Sequence, residues 1–162
     1  MLNYARVNRS EVTYAEINLD QIINSCVQEL QYLENFSAVK VNVSIKNGVP
    51  FKSDPLRIRI IFANIISNAY KYYNPAVKSY LEITAHVTSK RVEIDFRDNG
   101  IGIRKEYLAK VFDMFYRATE KSQGSGLGMY IVKQAVDKLK GTIEANSTFG
   151  KGTTIKISLP NN

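Results

Sequence analysis

The chain has 162 residues, 44% of them hydrophobic, with a formal net charge of +7. That is enough for one domain with its own core, and the sequence has neither an apolar run long enough to cross a membrane nor a signal-peptide pattern. The single cysteine, Cys26, cannot close an internal disulfide and suits a reducing compartment. Lys and Arg are spread through every segment rather than gathered into a stripe, which argues against nucleic acid and fits a phosphorylated ligand or an acidic protein partner. No internal repeat or low-complexity segment is present.

Leu2, Tyr4 and Val7 fall on one helical face, but residues 1–8 are too short to stand alone. They read as the last turns of a helix or as an unordered terminus. Residues 11–17 form a short strand candidate with Val12, Tyr14 and Ile17. Asn18 and Asp20 are candidate N-caps for a helix with the apolar stripe Ile22, Ile23, Cys26, Val27, Leu30 and Leu33, which places Cys26 in the core. Val41, Val43 and Ile45 alternate as a strand, and Asn47-Gly48 supplies a turn.

The next helix opens on Asp54 as N-cap and Pro55 at the first helical position. Ile58, Ile61, Phe62, Ile65, Ile66 and Ala69 make its apolar stripe, while Asn64, Asn68 and Lys71 recur on a different strip. Asparagine inside a helix competes with the backbone. Two of them call either for a solvated face or for a site that holds Mg²⁺ and phosphates. A carboxamide oxygen is a hard ligand for Mg²⁺, Lys71 adds positive charge, and Tyr72 and Tyr73 offer an aromatic face for a base. Asn74-Pro75 ends the helix.

Residues 80–88 form a strand with Leu81, Ile83, Ala85 and Val87 on one face and His86, the only histidine, on the polar face. Residues 91–96 form another, leading into Asp98-Asn99-Gly100-Ile101-Gly102-Ile103. Asp-Asn-Gly is ordinary turn chemistry. A carboxylate at a strand end beside two glycines also suits the amine of a flat ligand such as adenine, which glycine lets approach closely. A short helix follows over 104–112, closed by aromatics that include Phe112 and Phe115, and then a polar, mobile loop over 117–124. Gly124-Ser125-Gly126-Leu127-Gly128 opens directly into a helix ended by Gly141, a ready anion site. Two strands, 142–146 and 153–159, joined by the hairpin turn Phe149-Gly150-Lys151-Gly152, finish the chain.

The order Asn64…Asn68-Ala69…Lys71-Tyr72, Asp98-x-Gly100-x-Gly102, Phe112…Phe115, Gly124-x-Gly126-x-Gly128 resembles the N box, first glycine box, F box and second glycine box of the catalytic ATP-binding domain of bacterial sensor histidine kinases. Gly150-Lys151-Gly152-Thr153 resembles that family's last hairpin. The resemblance covers residues 11–160, with four motifs in order. It implies the Bergerat fold, an α/β sandwich in which a mixed β-sheet is covered on one face by helices. It implies ATP and Mg²⁺ as cofactors, with Asn68 as metal ligand, Asn64 beside it in the phosphate site and Lys71 on the phosphates. Tyr72 would lie against adenine, and Asp98 would accept its amine, with Gly100, Gly102 and Ile103 shaping that wall. Arg117 would reach the terminal phosphate. Gly124, Gly126, Leu127 and Gly128 would let the lid close and present N–H groups, and Phe115 and Thr153 would complete the nucleotide contacts. Asn64, Lys71 and Arg117 are the expected catalytic residues. Met129 stands where leucine is common, and Tyr70 and Tyr73 are bulkier than usual; none removes a ligand.

Kinases of this family phosphorylate a histidine on a helical dimerisation domain and pass the group to a response regulator receiver domain. His86 is no plausible acceptor, so the expected division is residues 1–10 as the tail of that helical domain and 11–162 as the catalytic domain. The chain is then expected to bind ATP without phosphorylating itself, as the cytoplasmic part of a homodimer whose full length is open to membrane anchoring. Three rival readings stand beside this one. A gyrase- or chaperone-like ATPase of the same superfamily would need a glutamate base at Asn64. An anti-sigma-type serine kinase is disfavoured by Phe112/Phe115 and the helical tail. A degenerate docking module would have lost motif residues, and none is lost.

Overall fold

The computed structural model describes residues 4–114, 116 and 126–162. Helices α1 (Tyr4–Arg9), α2 (Leu19–Gln28), α3 (Pro55–Lys71), α4 (Lys105–Leu108) and α5 (Gly128–Lys138) accompany strands β1 (Ala15–Glu16), β2 (Val39–Asn47), β3 (Lys52–Ser53), β4 (Ser79–Val87), β5 (Arg91–Asp98), β6 (Thr142–Thr148) and β7 (Gly152–Pro160). Five strands form one mixed sheet in the order β2-β4-β5-β7-β6. Only β2 and β4 run parallel, and α3 lies in the crossover between them. The helices pack on one face, which makes the molecule the α/β sandwich that the four motifs imply.

The covered face is built in rows across the register. Ala85, Ile94, Ile157 and Ile143 make one row, and Ile83, Phe96, Ile155 and Ala145 the next. All are buried or half-buried against Ile58, Ile61, Phe62, Ile65 and Ile66 of α3 and Val132 and Val136 of α5. Phe62 meets Phe96 edge-on, with centroids 5.2 Å apart. The open face alternates in charge: Glu82 faces Arg97, Lys156 stands between Asp95 and Glu144, and His86 between Lys46 and Glu93. Cys26 is buried in the core, and burial raises its thiol to about 11. Tyr70 is buried as well and stacks on Phe36, so its bulk is taken up by the core.

Four expectations change in detail. The strand over 11–17 shrinks to Ala15–Glu16, because the Thr13 N–H donates to the Asp54 carboxylate and the Glu11 carbonyl accepts from Arg57. Side chains of α3 have taken the place of a ladder. The α2 helix ends at Gln28, beyond which Leu30 and Leu33 reach the core from turns with i→i+3 bonds. Only Lys105–Leu108 of the 104–112 helix is regular. At the end of α5 the left-handed residue is Lys140 (φ 59), with Gly141 one place later. Their N–H groups donate to the Asp137 and Val136 carbonyls, closing a Schellman motif. Gly141 is needed for another reason: a Cβ there would run into the Ser158 carbonyl.

Candidate functional site

One end of the covered face turns polar. Beyond the row Ile83–Phe96–Ile155–Ala145, the next in register is Leu81, Asp98, Thr153 and Ser147. Asp98 Oδ1 accepts the N–H groups of Gly100 (2.9 Å) and Thr153 (3.2 Å), while Oδ2 has no protein partner among the described residues. Burial pushes the Asp98 carboxyl above its ordinary 3.8, and the two N–H groups hold it partway back. The site thus presents one half-buried carboxylate oxygen without a partner among the described residues, a good acceptor for an amine.

The loop after Asp98 is held on every side. Ile101 N–H donates to the Tyr72 carbonyl at 2.9 Å, and Gly150 N–H to the Ile101 carbonyl at 2.7 Å. Asn99 bridges the Tyr80 N–H and the Lys78 carbonyl. Ile103 N–H donates to Ser147 Oγ at 2.7 Å, and Ser147 Oγ lies 2.8 Å from the Gly152 carbonyl and 2.9 Å from Thr153 Oγ1. The glycines answer to crowding by the chain itself: a Cβ at Gly100 would strike the Tyr72 carbonyl, and one at Gly102 (φ +72) the Thr148 carbonyl. Gly152 (φ +132) backs directly onto the Asp98 carbonyl. Gly152→Ala is expected to destabilise the chain by about 1–3 kcal/mol, read as a lower urea midpoint. A parent-like midpoint would mean that the hairpin yields freely.

Helix α3 supplies the second wall. Asp54 caps it by accepting the Arg57 N–H, as its sequence predicts. Asn64 Nδ2 donates to the Ile60 carbonyl at 2.8 Å, which turns Oδ1 outward. A Cβ on Gly128 would sit 3.2 Å from that Oδ1, so the start of α5 faces Asn64 directly. Among the described residues no side chain caps α5, and its N-terminal dipole favours an anion there. Asn68, one turn after Asn64, is half-buried, and its carboxamide has no hydrogen bond among the described residues. Lys71 ends the helix, exposed, and Tyr72 is its half-buried C-cap. Gly126 (φ +74) and Leu127 lead into α5.

The fold therefore brings Asn64 to Gly128, Tyr72 to Gly100 and Ile101, and Asp98 to Thr153. Phe115, Arg117 and Gly124, together with the mobile loop expected over 117–124, lie outside the described residues. A cavity of about 340 Å³ between α1, α3 and α5 touches this constellation only at Asn64. Two residues escaped the sequence reading. Ser147 is one; its signal is a hydroxyl on the inward parity of β6, after Ile143 and Ala145. Arg57 is the other, a charge beside the apolar stripe of α3 that turns out fully buried. Among the described residues no group of three His, Cys, Asp or Glu side chains gathers to hold a metal. The carboxamide donors suit a hard cation shared with a ligand's phosphates rather than a closed protein cage.

A family model described as histidine kinase-, DNA gyrase B-, and HSP90-like ATPase matches residues 53–162. The chain belongs to this family. Sensor protein kinase WalK of Staphylococcus haemolyticus is 40% identical over 111 residues, 66% of this chain and 18% of that protein. Sensor protein RprX of Bacteroides fragilis is 33% identical over 151 residues, 90% of this chain and 29% of that protein. The chain thus spans less than a third of the length of these relatives. Mycobacterial sensor histidine kinase MprB superposes with a TM-score of 0.76 at 24% identity, covering 93% of this chain and 99% of that one. Full-length ShkA in complex with AMPPNP gives 0.79 at 20% identity, covering 97% of this chain and 33% of that one. The ATPase-family fold is shared with these structures, and the sensor-kinase names of the relatives agree with the motif order. The chain is an ATP-binding domain of the sensor histidine kinase type. No helix among its described residues is long and apolar enough to cross a membrane.

Proposed function

We propose that this domain binds ATP with Mg²⁺ and donates the γ-phosphoryl group to a histidine on a helical dimerisation domain, for onward passage to a response regulator receiver domain. Residues 1–10 are the tail of that helical domain and 11–162 the catalytic unit. The whole protein works as a homodimer, with this part on the cytoplasmic side. Asp98 takes the adenine amine on Oδ2, beside Thr153 and the wall from Gly100 to Ile103, and Tyr72 lies against the base. Asn68 is the Mg²⁺ ligand; the bound ion supplies charge neutralisation at the phosphates. Lys71 and Asn64 orient the phosphates, the start of α5 offers N–H groups, and Arg117 reaches the terminal phosphate.

The observation that favours transfer over hydrolysis is Asn64. A carboxamide cannot take a proton from water at neutral pH, and this one commits its NH₂ to the Ile60 carbonyl. An imidazole nitrogen needs no such base. It forms the bond to the γ-phosphorus as the bond to the β–γ bridging oxygen breaks; ADP leaves with the electron pair and the imidazole proton passes to water.

Calorimetric titration with a non-hydrolysable ATP analogue tests the reading. Saturable binding strengthened by Mg²⁺ and not reproduced by GTP is expected, followed by phosphohistidine when the acceptor domain and ATP are supplied. Asp98→Asn is expected to reduce the preference for adenine over guanine about tenfold, the ~1.4 kcal/mol that one good hydrogen bond to a charged group supplies. Absence of binding with and without Mg²⁺ would overturn the reading, and unchanged base preference would remove the role of Asp98.

A further inference from the structure

We propose that Arg57 is a positioning residue for phosphotransfer: it straps the segment entering the domain onto α3 and so sets where the acceptor domain stands relative to the nucleotide. The inference rests on the phosphotransfer reading and on residues 1–10 leading from the acceptor domain.

Arg57 is 1% exposed, yet its guanidinium serves the chain more than 40 residues upstream. Nη2 donates to the carbonyls of Val7 (2.9 Å) and Ser10 (2.7 Å), with Ser10 Oγ at 3.4 Å. Nη1 donates to Asp54 Oδ2 at 2.7 Å and reaches the Glu11 carbonyl at 3.5 Å. Asp54 closes the loop by accepting the Thr13 N–H at 3.0 Å while its other oxygen caps α3. Residues 10–14 have no regular structure of their own. Every one of these links from the strap therefore ends on a single turn of α3.

A buried ion pair is a poor source of net stability, since apolar groups of the same volume often do as well. What it supplies is one geometry. The guanidinium is planar and its donors are fixed in a fork, so the carbonyls of residues 7 and 10 have one place to be. Helix α3 then runs unbroken from this turn to Asn64, Asn68 and Lys71. The direction in which the chain enters is thereby fixed relative to the phosphate-binding face.

The test uses the full-length protein with Arg57→Lys, which keeps a cation beside Asp54 but cannot fork to several carbonyls. The double variant Asp54→Ser/Arg57→Met accompanies it and leaves no unpaired buried charge. In both, affinity for the ATP analogue is expected to stay within about twofold of the parent. Histidine phosphorylation is expected to fall at least about tenfold, with faster hydrogen exchange over residues 7–13 and parent-like exchange over 64–72. Phosphorylation at the parent's rate in both variants would overturn the proposal. So would a loss of nucleotide affinity matching the loss of phosphorylation, because Arg57 would then act on the fold of the site. A parent protein that never forms phosphohistidine would instead remove the underlying functional reading.

Discussion

Asn68→Ala is expected to abolish the gain in nucleotide affinity that Mg²⁺ provides. The carboxamide sits half-buried on α3, one turn beyond Asn64, with no hydrogen bond to any described residue. Removing it leaves no buried partner stranded, and alanine is the better helix former by roughly half a kcal/mol. The apo chain should therefore melt at or slightly above the parent's temperature. Affinity for an ATP analogue without Mg²⁺ should be unchanged. With Mg²⁺ it should fall at least about tenfold, or ~1.4 kcal/mol, to the metal-free level. Calorimetry at matched protein and nucleotide concentrations, with and without Mg²⁺, reads both effects. A variant that keeps the parent's Mg²⁺ dependence would place the metal elsewhere.

Arg57→Met should have the largest effect on stability, about 3–5 kcal/mol, because it leaves Asp54 charged and buried without its cation. Asp54 and Arg57 side chains are 4% and 2% exposed. Burial by itself raises the Asp54 carboxyl, but hydrogen bonds from the Thr13 and Arg57 N–H groups and from the guanidinium outweigh it, so the folded state holds Asp54 below its ordinary 3.8. A carboxyl depressed on folding stabilises above its unfolded value and loses that contribution as the pH falls through the folded one. The gap between parent and Arg57→Met should therefore be full near neutrality, narrow as the pH falls through the value Asp54 takes in the variant without the guanidinium, and close below the lower value it holds in the parent. Urea denaturation at several pH values reads the gap, and a pH-independent gap would assign the loss to packing alone. Asp54→Ser/Arg57→Met should be less destabilised than Arg57→Met.

Most of the fold was legible because its elements carry strong periodicity. Leu81, Ile83, Ala85 and Val87 alternate and are all buried; the α3 stripe from Ile58 to Ala69 is buried throughout. Asp54-Pro55 and Asn18 marked helix starts through local chemistry that needs no distant partner. The parallel pairing of β2 with β4 was not legible, since periodicity within a strand says nothing of its neighbour. Val43, on the apolar parity of β2, is exposed at this sheet edge. The strand over 11–17 failed for a related reason: side chains 41 and 46 residues away compete for its backbone groups.

The sequence by itself determined the chemistry available and its order along the chain. Asn64, Asn68 and Lys71 share a helix strip by the 3.6-residue repeat, and Asp98 leaves a strand into a glycine turn. Local geometry is enough for both. Tertiary structure alone decided which groups meet. It made Leu81, Asp98, Thr153 and Ser147 one row, turned Asn64 Oδ1 toward Gly128, and set the glycines against carbonyls of Tyr72, Thr148 and Asp98. It also buried Arg57, whose charge reads as surface in any one-dimensional pattern. Burial is settled by what packs over a side chain, and what packs over Arg57 is a segment 46 to 50 residues away along the chain.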